Sequence, residues 1–267
     1  MTGPAEGRRR VAIGIEYDGT GLLGWQSQKD GPSVQDALER ALAQVADEAV
    51  SVVGAGRTDA GVHATGQVAH FDSRARRDAR SWVLGTNSVL PPGICLRWAH
   101  PAPDRFHARF SAVRRSYSYL LLNRATRSAL WRHRAGWIHR HLDEQRMREA
   151  AAVLIGEHDF SAFRAAECQS RTPMRRLERL DIIRHGDFVR LDFTANAFLH
   201  HMVRNIVGTL TVVGRGDRPV AWVGQVLAGR DRCQGGATAP AEGLYLVGVD
   251  YGELLPTPPP ERPHPPA

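Results

Sequence analysis

The spacing of apolar residues changes period along the first fifty residues. In residues 11–17 apolar side chains alternate with small or polar ones, which predicts a half-buried strand. From Ser33 onward apolar residues recur at helical spacing, and Ser33 with Asp36 forms a capping box. We therefore predict a strand followed by a helix that begins at Ser33.

The rest of the sequence predicts further strands and helices, which form two halves with the same order of elements. In the remainder of the first half we predict three strands, at Val50–Val53, Gln67–Phe71 and Ile94–His100. A glycine-rich loop, Gly54–Ala64, joins the first two of these strands, and a helix, Ala79–Leu90, precedes the third. In the second half we predict strands and helices at Arg115–Asn123, Leu142–Ile155 (helix), Leu177–Arg184, Asp187–Thr194, Phe198–Val213 (helix) and Leu244–Tyr251. Both halves have the order strand, helix, strand, strand, helix, strand, although their sequences do not resemble each other.

This order predicts an α+β fold. We expect two similar split β-α-β halves whose antiparallel sheets join into one central sheet, with helices on one face and a cleft for a long ligand between the halves. The predicted domains are residues 11–110 and 111–252. Residues 1–10 are predicted to be a disordered extension and the proline-rich residues 253–267 a disordered tail, for which an SH3-type ligand is the alternative.

The charge of the chain favours a polyanionic partner. Lys and Arg number 35 against 28 Asp and Glu, a formal net charge of +7, and every one of these cations except Lys29 is arginine. Guanidinium groups match phosphates and stack on bases, so the balance favours nucleic acid. A coding bias toward arginine is the alternative explanation for the scarcity of lysine.

Cysteine usage and hydropathy exclude several classes. Cys95, Cys168 and Cys233 are far apart and form no CxxC pair, which argues against a disulfide framework and a zinc ribbon. No apolar run is long enough to span a membrane, and the N-terminus lacks the apolar core of a signal peptide. We expect a cytoplasmic protein with no membrane association.

The segment Gly54–Ala64 has the composition of a functional loop. Its glycines permit positive φ and a close approach to a ligand. It lacks the spacing of a phosphate-binding loop, so a nucleotide cradle is disfavoured. An ordinary hairpin in which Asp59 caps a turn is the remaining alternative on composition alone.

This segment resembles the signature loop of the TruA family of tRNA pseudouridine synthases. The resemblance covers about Val11 to Tyr251. Further matching stretches are Gly24–Gln28, Arg115–Tyr119, Asp159–Arg164, Cys168–Pro173, Phe198–Asn205 and Ala239–Leu244.

The resemblance implies a function. Members of this family isomerise uridine to pseudouridine at positions 38, 39 and 40 of the tRNA anticodon stem-loop, without a cofactor and as homodimers in which one subunit holds the tRNA while the other acts. The loop aspartate, which corresponds to Asp59, is the nucleophile. A carboxylate with an ordinary pKa of about 3.9 is ionised at neutral pH and needs no activating base. The ligand of the predicted cleft is then RNA.

The resemblance also assigns four further residues. Arg204 is expected to form an ion pair with Asp59 and so keep the carboxylate charged. Tyr117 is expected to stack on the uracil and assist loss of the C5 proton, with Leu244 closing the other side of the base. Arg57 is expected to contact the RNA backbone or to help displace the target base.

Other residues have simpler interpretations. His200 and His201 lie on the predicted helix, where adjacent side chains point about 100° apart, so we expect a solvated face or an RNA contact and no metal site. Of Tyr117 and Tyr119, which share a strand face, one is expected only to pack. Candidate RNA-groove residues are Arg74, Arg76, Arg77, Arg80, Arg105, Arg109 and Arg114.

Three alternative functions remain to be compared with this interpretation. The first is an RNA-binding protein that does no chemistry, which would lack Asp59, Tyr117 or Arg204; all three are present. The second is a hydrolase that uses Cys168 with His200 or His201, but no thiol-activating motif surrounds Cys168. The third is a pseudouridine synthase of another family with a different RNA target.

Overall fold

A computed structural model describes residues 3–263 of the chain. The fold is α+β, as predicted. The first half contains β1 (Arg9–Tyr17), α1 (Val34–Ala46), β2 (Val53–Gly54), β3 (His63–Ser73), α2 (Ala79–Asn87) and β4 (Ile94–Pro101). The second contains β5 (Arg114–Asn123), β6 (Gly136–Ile138), α3 (Glu144–Ala151), β7 (Gly156–Asp159), β8 (Met174–His185), β9 (Phe188–Ala195), α4 (Met202–Gly214), α5 (Trp222–Gly229) and β10 (Leu244–Asp250).

The described residues divide into two compact units. Unit 1 comprises residues 3–113 and 246–262, and unit 2 comprises residues 114–245 with residue 263. The boundary after residue 113 lies close to the predicted one at 110. Residues 246–262, which the prediction assigned to the second domain and the tail, belong to unit 1. Within this unit the Tyr251 hydroxyl donates to the Ala108 carbonyl and the Val113 amide donates to the Asp250 carbonyl, both at 2.8 Å.

Unit 1 has the predicted order of elements. Strand β1 is paired with both β3 and β4, and β2 is paired with β3; all three pairings are antiparallel. Helix α1 begins as predicted, because the Ser33 side chain accepts a hydrogen bond from the Asp36 amide and its hydroxyl donates to Asp36 Oδ2 at 2.6 Å. The prediction of a strand at Val50–Val53 was wrong in extent. The Val52 amide instead donates to Glu39 Oε1 at 2.8 Å, so pairing begins only at Val53.

Unit 2 repeats the pairing pattern of unit 1. As β3 is paired with β1 and β2, so β9 is paired with β5 and β8, and β7 extends the row beyond β8. The predicted similarity of element order thus extends to strand pairing. Three elements of this unit had no counterpart in the sequence prediction: the short strand β6, which runs parallel to β5, the strand β7, and helix α5.

Helix α4 starts later than the apolar pattern predicts. The sequence indicated a helix over Phe198–Val213, whereas α4 begins at Met202. His201 has φ 61°, a left-handed conformation that no residue inside an α-helix adopts. His200 and His201 therefore precede the helix and do not belong to its polar face.

Both ends of the described chain contact the fold. Arg9 and Arg10 belong to β1, although the sequence placed them in a disordered extension. Residues 255–263 contain no helix or strand, yet Leu255 is buried and the Thr257 hydroxyl donates to the Val249 carbonyl at 2.8 Å. The rest of the predicted extension and tail, residues 1–2 and 264–267, lies outside the described residues. None of the helices in the described part of the chain has the length and hydropathy needed to cross a membrane.

Buried polar groups fasten β1 to β3 in unit 1. Arg10 is 6% exposed and forms two hydrogen bonds of 2.8 Å with the Asp72 carboxylate, a bidentate ion pair. On β3, His70 is also buried, and its Nδ1 accepts a hydrogen bond from the Ala108 amide at 3.2 Å. Burial, and then the positive charge of Arg10, lowers the pKa of His70 to about 4. His70 is therefore neutral in the folded protein at neutral pH.

The depressed pKa of His70 predicts a loss of stability in mild acid. The unfolded chain binds a proton near pH 6.5 and the folded chain near pH 4, so the free energy of unfolding should fall as the pH drops from about 6.5 to about 4. One proton contributes a slope of at most about 1.4 kcal/mol per pH unit. His70→Asn keeps an acceptor for the Ala108 amide but does not titrate. Urea titrations across this range should therefore show a shallower pH dependence for His70→Asn; equal slopes would contradict the assignment.

Candidate active site

The loop between β2 and β3 carries Arg57, Thr58 and Asp59. Its first residues are tied to β3, because the Ala55 amide donates to the Val68 carbonyl at 2.7 Å. The fully buried Gln67 side chain donates to the Gly56 carbonyl at 2.8 Å. The loop therefore leaves the sheet in a fixed direction.

The backbone on both sides of the Asp59 side chain is held by hydrogen bonds. The Thr58 carbonyl accepts from the Trp25 amide at 3.0 Å, and the Asp59 carbonyl accepts from the Val62 amide at 3.1 Å. The Thr58 hydroxyl lies 2.8 Å from the buried Tyr17 hydroxyl. Asp59 itself is partly exposed. A partly exposed carboxylate on an immobilised backbone is suited to chemistry on a bound ligand.

The segment Gly24–Trp25 is wedged between this loop and helix α1. The carbonyls of Gly24 and Trp25 accept hydrogen bonds from the Val34 and Gln35 amides in the first turn of α1, at 3.1 and 3.0 Å. Gly24 has φ +93°, and a Cβ atom there would lie 2.4 Å from the Thr58 carbonyl oxygen. A side chain at position 24 would therefore displace the peptide that precedes Asp59.

His63 anchors the far end of the loop. It is 3% exposed, and its Nδ1 accepts a hydrogen bond from the Gly19 amide at 3.0 Å while lying 3.2 Å from Asp18 Oδ1. A Cβ atom on Gly19 would lie 2.2 Å from the Val62 carbonyl oxygen, so the two segments are in close backbone contact. Both ends of the loop are thus fixed within unit 1.

Unit 2 contains Tyr117, which lies on β5. Its side chain is 8% exposed and meets the ring of Phe198 edge to face, with centroids 5.0 Å apart and an interplanar angle of 81°. Tyr119 is fully buried, and its hydroxyl donates to the Pro240 carbonyl at 2.7 Å. Burial, with a smaller contribution from the negative charge of Glu242, raises the pKa of Tyr119. Of the two tyrosines, Tyr119 is the packing residue.

Arg204 lies on α4 and is bound to the segment that leads into β10. Its Nε donates to the Ala239 carbonyl at 2.8 Å, and the Ala239 amide donates to the Arg204 carbonyl at 3.1 Å. One turn along the helix, a Cβ atom on Gly208 would lie 1.7 Å from the Ala237 carbonyl oxygen, so glycine permits this close approach. The same segment ends at Leu244, the first residue of β10, which is 6% exposed.

His200, His201 and Cys168 form a second polar group in unit 2. The two imidazole rings are in contact in a tilted arrangement, with centroids 4.0 Å apart and an interplanar angle of 37°. The His200 amide donates to Cys168 Sγ at 3.4 Å. Burial raises the pKa of the Cys168 thiol, but the amides of His200 and Ser170 and the charge of Arg164 outweigh it, so the pKa is lowered overall.

The predicted site residues are divided between the units. Arg57 and Asp59 share one loop of unit 1, whereas Tyr117, Arg204 and Leu244 belong to unit 2. The ion pair of Asp59 with Arg204 stays a prediction. Sequence reasoning missed the residues that hold the loop and the tyrosine, namely Tyr17, Trp25, Gln67 and Phe198. Trp25 and Phe198 lie in stretches that carried the family resemblance, so that resemblance was the available signal.

Comparison with known proteins identifies the class. A family model described as tRNA pseudouridine synthase matches residues 13–111 and 150–252, ranges that include the Asp59 loop, α4 and β10. The chain belongs to the tRNA pseudouridine synthase family. It is therefore an isomerase that converts uridine in tRNA to pseudouridine, as the sequence predicted.

Individual proteins that are similar to this chain over most of its length share one name, tRNA pseudouridine synthase A. The chain is 55% identical over 252 residues to the tRNA pseudouridine synthase A of Paraburkholderia phymatum, which covers 94% of each chain. It is 56% identical over 244 residues to the tRNA pseudouridine synthase A of Methylococcus capsulatus, covering 91% of this chain and 90% of that protein. The protein of the same name from Paraburkholderia xenovorans is 53% identical over 253 residues, covering 95% and 94%.

The contact at Gly24 predicts that a single methyl group will disturb the site. Gly24→Ala should lower the free energy of unfolding by roughly 1–3 kcal/mol more than Gly21→Ala, because only position 24 combines positive φ with a steric clash. Gly21 has φ +75°, and a Cβ atom there would have no neighbour within 4 Å, so Gly21→Ala is the matched control for backbone strain. Urea denaturation and pseudouridine formation should both single out Gly24→Ala. Equal effects of the two substitutions would contradict the proposed role of this contact.

Proposed function

We propose that Asp59 is the nucleophile of the isomerisation. The observation that carries this proposal is the fixation of the Asp59 backbone: the Thr58 and Asp59 carbonyls are both hydrogen-bonded, and the side chain stays partly exposed. The reaction breaks the bond from N1 to C1′, turns the detached uracil in place and joins C5 to C1′. A group that forms and releases a covalent bond while the base turns must hold its position, which the anchored loop provides.

We propose that the target uridines are those at positions 38, 39 and 40 of the anticodon stem-loop. A base in a stem is stacked, so the enzyme must extract it at a cost of a few kcal/mol. Contacts to phosphates and stacking of the extracted base offset this cost. Arg74, Arg76, Arg77, Arg80, Arg105 and Arg109 of unit 1 are exposed and support such contacts. We further propose that the enzyme acts in the cytoplasm as a homodimer and uses no cofactor.

The other site residues have supporting roles in this proposal. Tyr117 stacks on the uracil and assists removal of the C5 proton, and the edge-to-face contact with Phe198 supports its ring orientation. Leu244 closes the opposite side of the base. Arg57 is exposed on the loop that carries Asp59 and contacts the RNA backbone or helps to displace the target base. Arg204 supplies positive charge for the reaction. Its guanidinium is held in place by the hydrogen bond from Nε to the Ala239 carbonyl.

Asp59→Asn tests the nucleophile. The variant should fold and bind tRNA as the original protein does but form no pseudouridine, because a neutral amide cannot attack the substrate. The measurement is tritium release from an unmodified tRNA transcript labelled at C5 of uridine, with the released positions mapped in the RNA. Asp30→Asn, an isosteric change of an exposed aspartate in the same unit, is the control and should keep full activity.

The outcomes of this test separate the alternatives. Turnover by Asp59→Asn would remove Asp59 from its assigned role. Tight tRNA binding without tritium release by the unaltered protein would favour an RNA-binding protein that does no chemistry. Release mapped outside the anticodon arm would refute the proposed target positions.

Arg204→Gln tests the role of the guanidinium. Glutamine retains a donor for the Ala239 carbonyl but removes the charge, so turnover at saturating tRNA should fall by roughly 10²-fold while the protein stays folded. Arg215→Gln is the control, because Arg215 follows the last residue of the same helix and is paired with Asp217. Single-turnover rates should separate the two variants. Equal rates for both would show that Arg204 has no part in the chemistry.

A further inference from the structure

The segment that follows β4 is held by buried polar groups. We call residues 104–111 the Phe110 loop; they belong to unit 1. The buried Arg10 guanidinium donates to the carbonyls of Asp104 and Phe106 at 2.9 and 2.6 Å. The loop is therefore attached to β1 at its start.

The middle of the Phe110 loop is fixed at both backbone groups of Ala108. Its amide donates to His70 Nδ1 at 3.2 Å, and its carbonyl accepts from the Tyr251 hydroxyl at 2.8 Å. Phe106, which is fully buried, meets the Tyr251 ring with centroids 4.9 Å apart. The two residues that follow Ala108 thus project from a rigid base.

His107 orients the tip of the Phe110 loop. Its Nδ1 accepts hydrogen bonds from the Arg109 and Phe110 amides at 3.1 and 3.2 Å, which requires that this nitrogen carry no proton. Burial and the charge of Arg10 lower the pKa of His107, which favours the neutral ring. The imidazole lies against the Phe110 ring, with centroids 4.4 Å apart and an interplanar angle of 32°.

These contacts hold the Phe110 ring in a solvent-exposed position. Phe110 is 65% exposed, and the Arg109 guanidinium carbon lies 5.5 Å from the centre of its ring. A single exposed apolar side chain is ordinary on a protein surface. An exposed aromatic ring with a guanidinium beside it has the two features that proteins use to stack on nucleobases, and the contact with His107 adds a fixed orientation of the ring.

We propose that Phe110 is a stacking platform for an unpaired nucleobase of the tRNA, with Arg109 contacting an adjacent phosphate. The inference rests on tRNA as the substrate and adds a binding residue outside the Asp59 loop. Unpaired loop bases are splayed out and accept aromatic side chains on their faces. The same exposed ring could instead meet a second copy of this chain. The local charge disfavours that partner at this surface, since Arg105 and Arg109 of each copy would meet the like charges of the other.

Equilibrium binding of an unmodified tRNA transcript tests the platform without reference to catalysis. Phe110→Ala should raise the Kd by roughly 5- to 100-fold, the loss expected for one base–aromatic stack. Phe110→Leu keeps an apolar side chain but no π-face and should also weaken binding, whereas Phe110→Trp should retain it. Leu84→Ala, which truncates a 55% exposed side chain on α2 of the same unit, is the matched control and should leave the Kd unchanged.

Two further readouts sharpen this test. Arg109→Gln should reduce the slope of log Kd against log salt concentration by about 1, the change expected when one phosphate contact is lost. In turnover experiments Phe110→Ala should raise KM and leave kcat at saturating tRNA unchanged, because the platform does not touch the reacting atoms. If the catalytic proposal is wrong, the unaltered protein will release no tritium. The effect of Phe110→Ala on the Kd does not depend on that result, because binding is measured without turnover.

Three results would overturn the proposal. The first is an unchanged Kd for both Phe110→Ala and Phe110→Leu. The second is a Kd that rises for Phe110→Ala but not for Phe110→Leu, which would show that apolar area and not stacking matters. The third is a change in sedimentation coefficient on Phe110→Ala in the absence of RNA, which would assign the ring to contact between copies of the chain.

Discussion

The hydrogen bonds made by the backbone of Gly24 and Trp25 fix the loop of unit 1 that carries Asp59. On one side this segment holds the Thr58 carbonyl, and on the other it receives the first two amides of α1. Helix capping, loop geometry and the position of the Asp59 side chain are therefore one coupled arrangement. No side chain fits at position 24, and the Trp25 ring fills the space beside Gly54, where a Cβ atom would come within 2.5 Å of it.

Elements with strong local signals could be predicted from the sequence, and elements set by distant contacts could not. Alternation predicts β1, and the capping box correctly predicts that Ser33 caps the start of α1. The extent of β2 depends on a hydrogen bond from Val52 to Glu39, which no local pattern encodes. The start of α4 was missed because apolar spacing continues upstream of the helix, while the left-handed conformation of His201 leaves no trace in that spacing.

The same division applies to the site. The glycine-rich composition of the loop predicted a functional segment, and the family resemblance supplied the roles that we propose for Asp59 and Tyr117. The contacts that position these groups could not be predicted, because they join residues far apart in the sequence. Tyr17 and Thr58 are 41 residues apart, and the ring that supports Tyr117 belongs to Phe198, in another part of unit 2. Periodicity describes one element at a time and is silent about such pairs.

Arginine shows how structure changes the meaning of composition. The positive charge of the sequence favoured a nucleic-acid partner, yet several of the arginines lie in the interior of the protein. Arg10 and Arg190 are buried and paired with aspartates, and Arg175 is buried against backbone carbonyls. Their charge is partly neutralised by internal acceptors and contributes less to an RNA surface than the count suggests. Arg10 nevertheless affects RNA recognition indirectly in our proposal, because it fixes the loop that presents Phe110 and Arg109. The buried arginine then provides rigidity, and the exposed one provides contact with the phosphate.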